Sequence, residues 1–198
     1  FAFLSADVRF PPPGIQLGPL PLYLRGIGGL VGINMSPDAE AIEDWGEFEP
    51  VQIWVGLGNP GPQYAMHRHN VGFMAADALA DRYDAPAPAK KFQGWVQETR
   101  IGGDKIILLK PATFMNESGR SIRAAMDFYK LSPEDVTVFY DELDLAPFKI
   151  KVKRGGGAAG HNGIRSTIDH IGADFRRVRL GIGHPGHKDR VTGYVLGP

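Results

Sequence analysis

Gly56–Phe73 reads GLGNPGPQYAMHRHNVGF. It follows VQIWV, a short apolar run of the kind that forms a buried strand. Gly56, Gly58 and Gly61 satisfy G-x-G-x-x-G, the spacing of a dinucleotide-binding turn. The surroundings do not support that use. Such a turn opens directly onto a helix, whose N-terminus receives the pyrophosphate. Here Pro60 and Pro62 flank the last glycine, and QYAMHRHN separates it from any helical spacing. The acidic residue expected about 20 positions on would be Asp77, which falls inside a helical pattern. A nucleotide-dependent oxidoreductase therefore rests on glycine spacing alone. What the loop does offer is Asn59, His67, His69 and Asn70 at the carboxyl end of a strand, where open α/β sheets place their sites. Histidine moves protons near neutral pH, and asparagine supplies a donor and an acceptor together. The plainer reading, that these residues cap a turn and a helix, stands until other clusters join them.

Working outward, strand-like runs alternate with helical ones. VQIWVGL, FQGWVQETRI, KIILLK, VTVFY, FKIKVK and RRVRLGI read as strands. Gly102-Gly103-Asp104 joins the second and third as a hairpin. NVGFMAADALADRY has helical spacing, with Val71, Met74, Ala75, Ala78 and Leu79 on one face. Ile122, Ala125, Met126 and Tyr129 form a second such face, and Ile164, Ile168 and Ile171 a third. VTGYVLG, close to the last residue, reads as strand-like. The pattern predicts a single α/β domain over 51–198, a mixed twisted β-sheet flanked by helices.

Residues 1–50 differ. They are rich in Pro and Gly, show neither period cleanly and end in an acidic tract. They are expected to be a poorly ordered N-terminal extension, disordered or not native to the domain. A GTG codon can start translation, so Val51 is a candidate first residue. The domain reads as C-terminally truncated after Pro198. The chain has no cysteine, which excludes disulfides and thiolate metal sites, and 43% apolar residues, enough for a core. No apolar run is long enough to span a membrane. The net charge of zero hides an asymmetry. Residues 1–50 hold two basic and seven acidic residues. From Lys149 onward there are ten basic residues against Asp169, Asp174 and Asp189. Such a stripe could attract a polyanion, although charge alone favours a solvated surface.

Three more polar clusters lie near strand ends. KPATFMNESG places Asn116 in a loop before a helix, FYDELDL puts Asp141 just after a strand, and RGGGAAGHNG puts His161 and Asn162 at the head of a helix. A histidine with an acid to orient it is half of a hydrolytic triad. No G-x-S-x-G elbow seats a serine nucleophile, so water is the simpler one. Asp141 taken alone would fit a surface turn, since Glu142 and Asp144 are acidic too.

GLGNPGPQYAMHRHNVGF, LLKPATFMNESG, YDELDL, GGGAAGHNG and RVRLGIGHPG together resemble the bacterial peptidyl-tRNA hydrolase family, in unbroken order from about Val51 to Gly197. Residues 1–50 have no counterpart in it, and the family's C-terminal helical segment has none here after Pro198. The resemblance implies hydrolysis of the ester between a peptide and the 3′ ribose of tRNA, recycling tRNA released from aborted translation. It implies a cytoplasmic monomer that binds peptidyl-tRNA, with no metal, no organic cofactor and no membrane contact. By the same resemblance His69 is the catalytic histidine and Asp141 its supporting acid. Asn59 and Asn116 hold the peptidyl end and its carbonyl, and Asn162 holds the tRNA 3′ end and the water. Tyr64 and Met115 line the site, and Lys153 and Arg179 grip the 5′ phosphate of the tRNA.

The residue types suit that chemistry. Asp141 holding one nitrogen of His69 leaves the other to take a proton from water, and amide donors suit a developing oxyanion. Lys149, Lys151 and Lys153 alternate along one strand and so share a face. Phosphate contacts position RNA without reading its sequence, as an enzyme for many tRNAs requires. The glycine run either offers backbone N–H groups to a phosphate or acts as a hinge. H-x-H at His67 and His69, and the pair His184 and His187, have metal-ligand spacing but no third ligand cluster. His161 either steadies the Asn162 loop or touches the RNA. A non-enzymatic RNA-binding relative, of the kind found in splicing complexes, is the competing reading. The presence of Asn59, His69, Asn116, Asp141 and Asn162 together speaks for the enzyme.

Overall fold

The computed structural model describes residues 50–198; the expectations for 1–49 lie outside the described residues. Val51–Pro198 form one compact unit. Seven strands make one sheet. They are β1 (Val51–Gly56), β2 (Ala89–Lys91), β3 (Gly94–Ile101), β4 (Asp104–Pro111), β5 (Val136–Glu142), β6 (Ile150–Arg154) and β7 (Arg176–Gly181). Their order is β2-β3-β4-β1-β5-β7-β6. β1 runs parallel to β4 and β5, and β5 parallel to β7. β3 and β2 continue antiparallel beyond β4, and β6 lies antiparallel on β7. The mixed sheet expected from the sequence is the one observed.

The central strands are apolar without alternation because both faces are covered. Ile53, Val55, Ile107, Leu109, Val136 and Val138 pack with Ile122, Ala125 and Met126 of α2 (Ser118–Tyr129) and Ile164 and Ile171 of α3 (Asn162–Ile171). The alternate residues face the other way, where Trp54 and Phe139 meet at 5.8 Å between ring centroids. α1 (Val71–Arg82) covers that side. Its buried residues are Gly72, Ala76, Leu79 and Ala80; of the face that apolar spacing predicts only Leu79 is fully buried, while Val71, Ala75 and Ala78 are half-buried and Met74 is exposed. Close approach decides the rotation. A Cβ on Gly56 would stand 2.2 Å from the Gly72 carbonyl oxygen, and one on Gly72 would stand 2.4 Å from the Phe139 carbonyl oxygen. The side of the helix with the smallest residues is drawn against the backbone of the sheet, and Met74 is left exposed.

The predicted hairpin is present. Ile101 pairs with Asp104, and Gly102 and Gly103 both take positive φ, as a two-residue turn of this hand demands. The VTGYVLG stretch is not a strand. Val191–Val195 forms a short helix, α4. Its Tyr194 hydroxyl donates to the Ile182 carbonyl at 2.6 Å and its Tyr194 carbonyl accepts from Arg68 Nη1 at 3.1 Å. These tertiary contacts override a local alternation that Gly193 already weakens. Among the described residues no helix is long and apolar enough to cross a membrane.

Because β1 has β4 on one side and β5 on the other, the chain leaves its carboxyl end between two crossovers. That is the place where open α/β sheets form a crevice.

Candidate active site

The crevice is a cleft of about 870 Å³ at the carboxyl ends of β1, β4 and β5. The loop after β1 builds its floor. Gly58 abuts the Phe73 ring, where a Cβ would come within 2.6 Å, and Gly61 takes φ 116°. Two short 3-10 turns, Pro62–Tyr64 and Arg68–Asn70, stand between the glycines and α1. The glycines thus serve close packing and a turn, with no helix N-terminus aimed from them. Asp77 is engaged on α1 with Lys110. The dinucleotide reading has no site here.

His69 sits on the second 3-10 turn and Asp141 at the end of β5, buried but for 3% of its side chain. His69 Nδ1 lies 2.9 and 3.0 Å from the two carboxylate oxygens of Asp141. His161 Nε2 lies 2.9 Å from one of the same oxygens. The other nitrogen of His161 accepts the backbone N–H groups of Gly163 and Ile164, at 3.1 and 3.2 Å, and so caps the N-terminus of α3. An Nδ1 that accepts carries no proton, so the proton of neutral His161 is on Nε2 and is donated to Asp141. His69 takes the opposite tautomer: Nδ1–H donates to the carboxylate, and Nε2 keeps its lone pair on the cleft side. Burial alone would push the Asp141 carboxyl up. The His161 imidazole, by its charge interaction and hydrogen bond, and then His69 outweigh that and hold it well below the usual carboxylate range.

Two readings that the sequence left open are narrowed here. Asp141 is no surface turn, since Glu142 beside it is buried as well. His161, whose role spacing left open, is bound to the acid. Its ring is 4.9 Å from that of His69, and the Tyr140 ring meets it edge-on at 5.1 Å. A helix-head H-N-G was the one available signal. The three groups bring ligand-capable atoms within 4.8 Å of one another; the two backbone N–H groups on His161 Nδ1 place its proton on Nε2, which suits a hydrogen bond to Asp141. His67 packs against the Tyr64 ring, His184 lines the cleft, and His187 is exposed beside Asp189.

Asn59 is held firmly. Its backbone N–H donates to Asn70 Oδ1 and its carbonyl accepts from Asn70 Nδ2, both at 2.9 Å. Its Oδ1 accepts the Met115 N–H at 2.8 Å. The Nδ2 group is therefore left as a donor. Asn70 is 2% exposed, a positioning role that sequence reading noted only as a loop asparagine. Asn116, on the 3-10 turn Met115–Glu117, and Asn162, the first residue of α3, complete the polar lining, with Met115 beneath. Tyr64 stands apart from the lining, its ring on His67.

Lys153 and Arg179 lie outside the cleft on one face of the β6–β7 pair. Lys151 is opposite Arg179 and Lys153 opposite Arg177, so Lys153 is the diagonal neighbour of Arg179. Arg179 Nε donates to Glu142 at 2.8 Å, and that hydrogen bond raises its pKa. Arg177 is fully buried; it donates to the carbonyls of Gly156 and Gly157 and lies over the Phe175 ring. It fixes the glycine run that leads to His161, which is a strutted loop and not a free hinge.

The family model for peptidyl-tRNA hydrolase matches residues 53–198. The peptidyl-tRNA hydrolase of Sphingopyxis alaskensis is 78% identical over 147 residues, 74% of this chain and 78% of the relative. That of Erythrobacter litoralis is 77% identical over 147 residues, with the same shares. A crystal structure of peptidyl-tRNA hydrolase from Acinetobacter baumannii superposes with a TM-score of 0.71 at 47% identity, covering 74% of this chain and 76% of that one.

Proposed function

The chain belongs to the peptidyl-tRNA hydrolase family, and from that membership we propose that His69 is the general base of its ester hydrolysis, with Asp141 as the acid that orients it. The activity is cleavage of the ester between a peptide and the 3′ ribose of tRNA. The observation that carries the assignment is one buried carboxylate bridged by His69 Nδ1 and His161 Nε2, with His161 Nδ1 taken up by two backbone N–H groups; the tautomers these contacts require leave a lone pair on Nε2 of His69, which lines the cleft. Nε2 takes a proton from water as the water oxygen bonds to the ester carbonyl carbon. Positioned general-base catalysis of this kind is worth roughly 10²–10⁴-fold. Nδ2 of Asn59 and the amide of Asn116 donate to the oxyanion that forms, about 3 kcal/mol for one good donor. Collapse breaks the bond to the ribose 3′ oxygen, which receives the proton from His69. Water is the only co-reactant.

Asn162 holds the 3′ end and the water, Met115 supports the peptidyl side, and Lys153 with Arg179 takes a tRNA phosphate. We place the enzyme in the cytoplasm, where translation supplies its substrate, acting as a monomer through residues 51–198. The experiment is turnover of peptidyl-tRNA by the wild-type chain and by His69→Ala, with tRNA affinity measured on the same preparations. Loss of turnover with affinity retained supports the reading. Turnover within about tenfold of wild type, less than a base supplies, means that His69 is not the base. Affinity for tRNA with no turnover in the wild type would favour the non-enzymatic RNA-binding reading.

A further inference from the structure

α4 forms one wall of the cleft, yet nothing in it is buried. Val191, Thr192 and Val195 line the cleft, joined by Leu196 just beyond the helix. A helix of five residues does not hold itself together in water, so contacts with its neighbours must keep this wall in place. They converge on one residue. Arg68 Nη1 donates to the Tyr194 carbonyl at 3.1 Å. Its guanidinium carbon stands 4.2 Å from the centre of the Tyr194 ring. Its backbone N–H donates to the Gly197 carbonyl at 2.9 Å. The Tyr194 hydroxyl, bonded to the Ile182 carbonyl, is the second anchor.

Arg68 is the residue before His69, on the same 3-10 turn. The turn that presents the imidazole also grips the opposite wall. A guanidinium suits the task because its plane stacks on an aromatic ring while its edge donates to a carbonyl near a helix C-terminus. An ammonium does not do both. His69 itself is held from elsewhere, by Asp141 on β5.

We propose that Arg68 is a positioning residue that sets the width of the cleft by pinning α4 to the turn that carries His69. It governs how tightly peptidyl-tRNA is held and not the proton transfer. The proposal rests on the cleft being the peptidyl-tRNA site.

The test is steady-state hydrolysis of peptidyl-tRNA by Arg68→Ala, Arg68→Lys, Tyr194→Ala and the double Ala variant, with amide hydrogen exchange. Arg68→Ala is expected to raise KM about tenfold, the scale of one stacked, hydrogen-bonded cation. Its kcat should stay within about threefold of wild type, the signature of weakened uniform binding. Arg68→Lys should recover part of the KM. Tyr194→Ala should match Arg68→Ala, and the double variant should add little, because both break the same link. Exchange at 194–197 should quicken while β5 stays protected. A fall in kcat at unchanged KM would overturn the proposal, by assigning Arg68 to His69 instead of α4. So would additive effects, unchanged KM, or exchange that quickens throughout the domain. Failure of the underlying site reading shows separately, as undiminished turnover in His69→Ala.

Discussion

The proposed catalytic centre and the basic strip on β6–β7 are built in opposite ways. At the centre the polar atoms are committed. Asp141 is 3% exposed and bonded to two imidazoles, His161 also caps a helix, and Asn59 is held through its backbone and side chain together. On the strip, Lys153 projects from an exposed strand, and Arg179 has one anchor, Glu142. The contrast matches two demands. Stabilising a transition state needs groups fixed before the substrate arrives. Attracting a polyanion needs only charge at the right distance, and it weakens with salt.

Substitutions at the centre should therefore change kcat, and those on the strip KM. The largest effect is expected at His69→Ala, a loss of roughly 10²–10⁴-fold in kcat. Asp141→Asn should lose less, because the imidazole survives without its carboxylate. Equal losses in the two variants, with circular dichroism unchanged, would give Asp141 a more direct role.

Asp141 also makes a claim about stability. Its carboxyl is held below its ordinary value in the folded protein, so its contribution is complete above about pH 4 and is lost as the pH falls further. The difference in melting temperature between wild type and Asp141→Asn should shrink below that pH. A constant difference would mean that the charge is not what stabilises.

A smaller effect is expected on the strip. Replacing Lys153 and Arg179 together by Ala should raise KM for full-length peptidyl-tRNA with little change in kcat. The log-affinity against log-salt slope should be shallower by roughly 0.7–0.9 for each phosphate that the variant no longer neutralises. A peptidyl ester on a few 3′ nucleotides should be cleaved equally by both proteins. The same loss on short and full-length substrates would place these residues in support of the cleft and dissolve the contrast. The smallest effect is expected from starting the chain at Val51, since the compact unit begins there and the family match at residue 53. Its melting temperature should be unchanged, and a large drop would show that residues 1–50 contribute.

How far the sequence could be read follows the same division. The parallel strands were legible because burial on both faces makes them continuously apolar, as in VTVFY and KIILLK. The rotation of α1 was not, because glycines and alanines set it by backbone approach, and apolar spacing carries no signal of that. α4 was misread because its helix depends on Arg68, 126 positions from Tyr194 in sequence. At the site, Asn59, His69, Asn116, Asp141 and Asn162 were legible as polar residues at strand ends, and the structure gathers all five around one cleft. The tie from His161 to Asp141 was hidden, since a tautomer is set by partners on two elements and not by neighbours in the chain. Tyr64 shows the converse, a residue near the site in sequence whose ring turns to His67.

The central claim is that one buried carboxylate sets two imidazoles in opposite tautomers and leaves a single lone pair for water. Nitrogen chemical shifts of the imidazoles, measured at a pH where both are neutral, test it most directly. The account predicts His69 protonated on Nδ1 with Nε2 bare, and His161 protonated on Nε2 with Nδ1 bare. Asp141→Asn should disturb both patterns. A proton on Nε2 of neutral His69 would contradict the account, because that nitrogen would then have no lone pair with which to activate water.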